Sequence, residues 1–239
     1  MKVKKQFGPA YTSATVTLAP NESIQVEGGA MMSHSPNVQM ATHMRDKSFL
    51  KSLKVAALGS ESLFLNTFTA KNGEGEVTLA PAFPGDINTF ELNGNGYIIQ
   101  SGAYMANEPG IDIDTKWQGL KGALSEGDMI FLYAKGTGKV ILASFGAMDA
   151  FQLKPGEEYI VDTGHLVAFE DTITYDVELV KGMKSLLLSG EGIVTRIHGP
   201  GWVITQSRSI GQFISWLRSY LPSSSSQSHS NRGGVTFGV

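Results

Sequence analysis

Three stretches of this chain carry one pattern at one spacing, which narrows the fold to architectures built from repeated units. "SESLFLNTFTAKNGEGEVTLAP" begins at Ser60, "GDMIFLYAKGTGKVILAS" at Gly127 and "GEGIVTRIHGPGWVITQS" at Gly190. Each has an acidic residue second (Glu61, Asp128, Glu191), followed by apolar, strand-forming residues. Each then reaches a G-x-G ending at Gly75, Gly138 or Gly201, 63 residues apart in both intervals, with Val77, Val140 and Val203 in register beyond it. The echo extends upstream. "VEGGAMMSHS", "IQSGAYMANE" and "VDTGHLVAFE" share a strand and then a glycine: Gly29, Gly102 and Gly164. Leu18, Leu92 and Leu153 close a short strand before a polar turn, and Leu53, Leu120 and Met183 are each followed by a lysine.

These offsets define three units, about 14–84, 85–147 and 148–207, after a basic lead-in over 1–13. Short apolar–polar alternations such as "SIQVE", "TFELNG" and "EEYIVD" predict many short strands. The fold expected is all-β: a sandwich or barrel-like body with pseudo-threefold symmetry. Units of roughly sixty residues bury too little alone, so the three should fold as one domain over 1–207. Each unit also has a brief helical candidate before its acidic position, the longest being "DKSFLKSLKVAALGS".

The glycines could cradle a phosphate or turn a chain. A phosphate loop needs a helix N-terminus after it, but "EVTLAP", "KVILAS" and "WVITQS" all read as strands. Gly138-Lys139 resembles the tail of a Walker sequence, yet Val140 replaces the magnesium-holding hydroxyl and Tyr133 the first glycine. A hairpin turn using positive φ is the expectation.

Beyond residue 207 the pattern becomes helical. Ile210, Phe213, Ile214, Leu217 and Leu221 recur at helical spacing with Trp216 among them, and Pro222 ends the run. This 208–221 segment could pack on its own core, meet a neighbouring subunit or lie on a membrane surface, although two arginines give little attraction to anionic lipid. The serine-rich 222–239 tail is expected to be disordered.

Chemistry is sparse. There is no cysteine, which removes disulfides, thiolate zinc sites and thiol nucleophiles. Net charge is −3, which disfavours nucleic acid as a partner. No apolar run has membrane-spanning length and no secretory signal opens the chain, so the expected location is cytoplasmic, with peripheral membrane contact through 208–221. His34, His43, His165, His198 and His229 have no metal-ligand spacing, and no G-x-S-x-G elbow or ordered triad is present. No catalytic, cofactor or metal residue is assigned. The candidates that remain are a charged ring of Lys54, Lys121 and Lys184, one per unit, and a docking helix of Ile210, Phe213, Ile214, Trp216 and Leu217. The repeated acidic residues read as backbone-bonding groups at turns.

The segments "LAPNESIQVEGGAMM", "LGSESLF", "GEVTLAP", "GHLVAFE" and "SGEGIVTRIHGPGWVITQSR" together resemble a prokaryotic TRAP-like uncharacterised family related to a fungal mitochondrial altered-inheritance protein. The resemblance covers about 14–208. It implies β repeats like the subunit of the trp RNA-binding attenuation protein, ring-like homo-oligomers (a trimer being the size expected) and no established enzymatic activity. The mitochondrial relatives imply an organising role at membranes. The attenuation protein's tryptophan- and RNA-binding residues have no counterparts here, and "GSES" stands where the family's first unit commonly has a double glycine. The expected function is a non-enzymatic scaffold or interaction protein. The alternatives are small-ligand or RNA binding at junctions between repeats or subunits, and an enzyme or metalloprotein that no motif marks.

Overall fold

The computed structural model describes residues 1–43, 65–114, 131–179 and 193–221. The lead-in carries β1 (Lys2–Gln6), and in the first unit the strands are β2 (Ser13–Leu18), β3 (Ser23–Glu27), β4 (Met31–His34), β5 (Val38–His43), β6 (Leu65–Ala70) and β7 (Gly75–Leu79). The second has β8 (Ile87–Gln100), β9 (Tyr104–Asn107), β10 (Ile111–Asp114) and β11 (Phe131–Ala143). The third has β12 (Met148–Leu153), β13 (Glu158–Asp162), β14 (Leu166–Glu170), β15 (Thr174–Leu179), β16 (Ile193–His198) and β17 (Gly201–Gln206), and helix α1 (Ile210–Arg218) follows. The basic lead-in is β1, an edge strand antiparallel to β2, whose exposed lysines discourage further pairing there.

Alternation decides which face is buried. In β2 the buried residues include Ala14, Val16 and Leu18, in β3 Ile24 and Val26, and in β7 Val77 and Leu79. In the first unit β2 and β4 pair with β7, whereas β3 and β5 pair with β6. In the third, β12 and β14 pair with β17, whereas β13 and β15 pair with β16. In the second, β8 and β11 are long enough to take both roles. Ile87–Asn93 lies against Ala143–Thr137 and Gly96–Gln100 against Lys135–Phe131, with β9 and β10 on the two halves of β11.

This topology corrects the hairpin expectation. β6 and β7 have different partners, as do β16 and β17, and β11 runs unbroken through Gly136 and Gly138. The glycines therefore carry a strand round a corner or bulge from one set of partners to another. Gly136 illustrates the constraint. Its φ is 139°, and a Cβ there would stand 2.2 Å from the Gly110 carbonyl oxygen. Leu92 likewise sits inside β8 rather than at its end.

Among the described residues the strands form a four-stranded, a ten-stranded and a three-stranded sheet. The sheets are open, so the barrel-like expectation gives way to an all-β body of several sheets. The units join in series. β3 pairs with β9 through Val26↔Ala106 and Gln25↔Asn107, and β8 pairs with β14 through Ile99↔Ala168, Ile98↔Phe169 and Tyr97↔Glu170. Among the described residues no ladder joins the third unit back to the first, so the described ladders do not close the three units into a ring.

Candidate functional site

Lys54, Lys121 and Lys184, the acidic Glu61, Asp128 and Glu191, the helical candidates before them and the serine-rich tail all lie outside the described residues. The docking segment is described. α1 is shorter than the 208–221 expected from the sequence, with Ser209 as its N-cap. Its mooring is at the start. Ser209 is buried beside Gly164, Gln212 reaches Asp162 at 3.5 Å, and the Phe213 ring meets Phe145 edge-on at 5.5 Å. Phe145 in turn meets Phe83 at 5.2 Å. Outward from Phe213 the ring row continues to Trp216 and Tyr220, at 5.9 and 5.1 Å. No residue of the helix is buried, and Phe213, Ile214, Trp216 and Leu217 are all exposed. The helix thus meets its own body at its first turn, through the half-buried Ile210, through Gln212 and through the Phe213 ring, and leaves Ile214, Trp216 and Leu217 exposed to solvent, so self-packing accounts for only part of it.

The polar side chains inside the body are bonded to one another and to backbone. In each unit a side chain six residues after the shared glycine accepts the N–H that follows the corner glycine. Ser35 Oγ accepts from Glu76 N at 2.8 Å, Glu108 Oε2 from Lys139 N at 2.7 Å and Glu170 Oε2 from Trp202 N at 2.9 Å. The corner leaves that donor without a ladder partner, and the side chain supplies one. The sequence hinted at these groups in "ANE" and "AFE", but the backbone-bonding role was expected of the other acidic triplet. Glu170 also accepts from Asn95 at 3.0 Å and from the Tyr97 hydroxyl at 3.3 Å. Burial and the adjacent carboxylate push the Tyr97 phenol well above its ordinary range. Burial and a bond to Asp171 likewise push Tyr133 up to about 12.

The junction between the first two units is a closed polar knot. Asn107 is fully buried. It accepts from the Tyr104 hydroxyl and donates to Gln25, to the Glu108 carbonyl and to the Ile111 carbonyl, the last at 3.0 Å. His165 is bonded to the Gln206 carbonyl at 2.7 Å, and His198 lies 3.2 Å from both Glu158 and Asp176. Among the described residues no group of three His, Cys, Asp or Glu side chains is placed to hold a metal ion. No helix among them is long and apolar enough to cross a membrane.

What sequence reasoning missed is a second exposed apolar set, on strand edges: Met32 on β4, and Tyr159 and Ile160 on β13. The signal was present. "YIV" at 159–161 stands where the second unit has "YII" at 97–99, and three consecutive apolar residues leave no polar face for solvent.

Comparison with known proteins follows the same outline. Residues 5–208 match the family model described as mitochondrial biogenesis AIM24. This chain belongs to the AIM24 family. An uncharacterised protein of Streptococcus pyogenes serotype M6 is 30% identical over 217 residues, spanning 88% of this chain and 87% of that protein. A crystal structure of another Streptococcus pyogenes protein superposes with a TM-score of 0.75 at 25% identity, covering 92% of this chain and 99% of that one. The AIM24 match ends at residue 208, just before the α1 cap, so the family model does not include the helix.

Proposed function

We propose that this AIM24-family chain is a non-enzymatic scaffold: three copies of one β module in a row, working as a homo-oligomer through its exposed apolar groups. The module reading is supported by the pairing order, in which first and third strands meet the sixth while second and fourth meet the fifth, and by the capping side chain that recurs at each corner. The observation that carries the function is where the unsatisfied surface lies. Polar groups inside the body are bonded internally, whereas large apolar side chains stand exposed on α1 and on two strand edges. Such surfaces mark contacts with other macromolecules. The two junctions between modules are filled by Asn107, Tyr97, Ile98 and Phe169, which favours the scaffold over a small ligand or RNA at those positions. Sedimentation of the full chain at micromolar concentration is expected to give a discrete species of at least two copies. A plain monomer at that concentration would remove the proposal.

A further inference from the structure

The two internal junctions follow one rule. Counted from the shared glycines, the residue three before the glycine of one unit pairs with the residue four after the glycine of the next. The residue four before pairs with the residue five after. Val26↔Ala106 and Gln25↔Asn107 obey it at the first junction, and Ile99↔Ala168 and Ile98↔Phe169 obey it at the second. Among the described residues the first and third units each keep one half of the rule unmatched. Among the described residues β13 is an outer strand of its sheet and pairs only with β16, and β4 is an outer strand of its sheet and pairs only with β7.

The side chains on these edges are the ones the internal junctions bury. Tyr97 is 5% exposed and its counterpart Tyr159 is 56%; Ile98 is 5% and Ile160 52%; Met105 is 2% and Met32 62%. Apolar side chains of this kind on a free edge offer both backbone donors and hydrophobic area to an incoming strand. From the continuation of the internal junctions, and building on the homo-oligomer reading above, we infer that β13 of one copy pairs antiparallel with β4 of a second copy. The rule sets the register: Val161 opposite Ser33, Ile160 opposite His34 and Tyr159 opposite Ser35. The contact is head-to-tail, so it generates a closed ring or an open filament according to the rotation per copy.

The absence of cysteine makes the test clean. One chain carrying only His34→Cys is mixed with another carrying only Ile160→Cys and oxidised, with Ser33→Cys and Val161→Cys as a second pair because adjacent positions alternate in geometry. The expected result is a reducible heterodimer from at least one mixture, at least tenfold more abundant than either chain's self-linked product. Sedimentation of Ile160→Lys, with circular dichroism to confirm folding, is expected to show assembly weakened by at least tenfold in concentration. If assembly persists in Ile160→Lys and no mixture cross-links, this interface is wrong while the oligomeric scaffold stands. If the wild type is a monomer throughout, both fall. If the His34→Cys/Ile160→Cys double variant links only within one chain, the edge closes intramolecularly and the second copy is overturned.

Discussion

Glu170 shows how a single side chain can hold a corner of this fold. Its two carboxylate oxygens serve Asn95, the Tyr97 hydroxyl and the Trp202 N–H. Removing it takes the acceptor from the Trp202 N–H at the Gly201 corner and from the Tyr97 hydroxyl, and a hydrogen bond to a charged group contributes about 1.5–3 kcal/mol. Glu170→Ala is therefore expected to lower unfolding stability by about 2 kcal/mol in denaturant melts, and Glu170→Gln, which can still accept, by less. The same residue tunes Tyr97. Burial, then the Glu170 charge and hydrogen bond, raise the phenol, so the protonated ring is favoured in the folded state. Its stabilising contribution is complete below the unfolded tyrosine value, near pH 10, and is lost as pH rises through the higher folded value. Neutralising the carboxylate in Glu170→Gln should bring Tyr97 ionisation to lower pH in an ultraviolet titration. An unchanged titration would show that burial alone holds the proton.

At the scale of elements, α1 and the corners separate what was legible from what was not. The apolar spacing from Ile210 to Leu221 marked a helix, because a 3.6-residue period is a local property of the chain. Strand positions were legible for the same reason: Val77, Val140 and Val203 occupy matching buried sites. Strand partners were not. A glycine at positive φ suits a hairpin and a corner equally, and only the distant strands decide between them. So β6 and β7 were expected to face each other when each in fact faces others. The helix's apolar residues were legible as a helical set, but the exposed edges at β4 and β13 were not, because exposure there depends on which neighbour is missing. For α1 the exposure pattern has a direct consequence. Phe213 is held by Phe145, and such a ring pair contributes about 0.5–1.5 kcal/mol. Trp216 is exposed and touches only Phe213 and Tyr220 among described rings. Phe213→Ala should therefore cost about 1 kcal/mol in a dilute melt, whereas Trp216→Ser should stay within about 0.5 kcal/mol of wild type. A large loss from Trp216→Ser would mean that the helix is already covered.

Across the whole molecule the cores interlock in series. One apolar cluster joins Val16, Leu79 and Phe68 of the first unit to Ile87, Met105 and Ile141 of the second. Another joins Ile99, Leu132 and Val140 of the second unit to Val167, Ala168 and Ile204 of the third, and a third joins Ile98 and Phe131 to Phe169, Ile173 and Val203. No unit therefore owns a complete core. Cutting the chain after residue 147 would uncover at least Ile98, Ile99 and Phe131. At about 1.5–3 kcal/mol for each fully buried side chain, that forfeits roughly 5–9 kcal/mol. A loss of that size matches the entire stability of an ordinary domain, about 5–15 kcal/mol. The truncated chain 1–147 is accordingly expected to show no cooperative thermal transition, whereas the full chain melts once, with tryptophan fluorescence and circular dichroism coinciding. A sharp melt from 1–147 at near-native temperature would mean that the modules fold independently. The shared clusters would then contribute little beyond alignment.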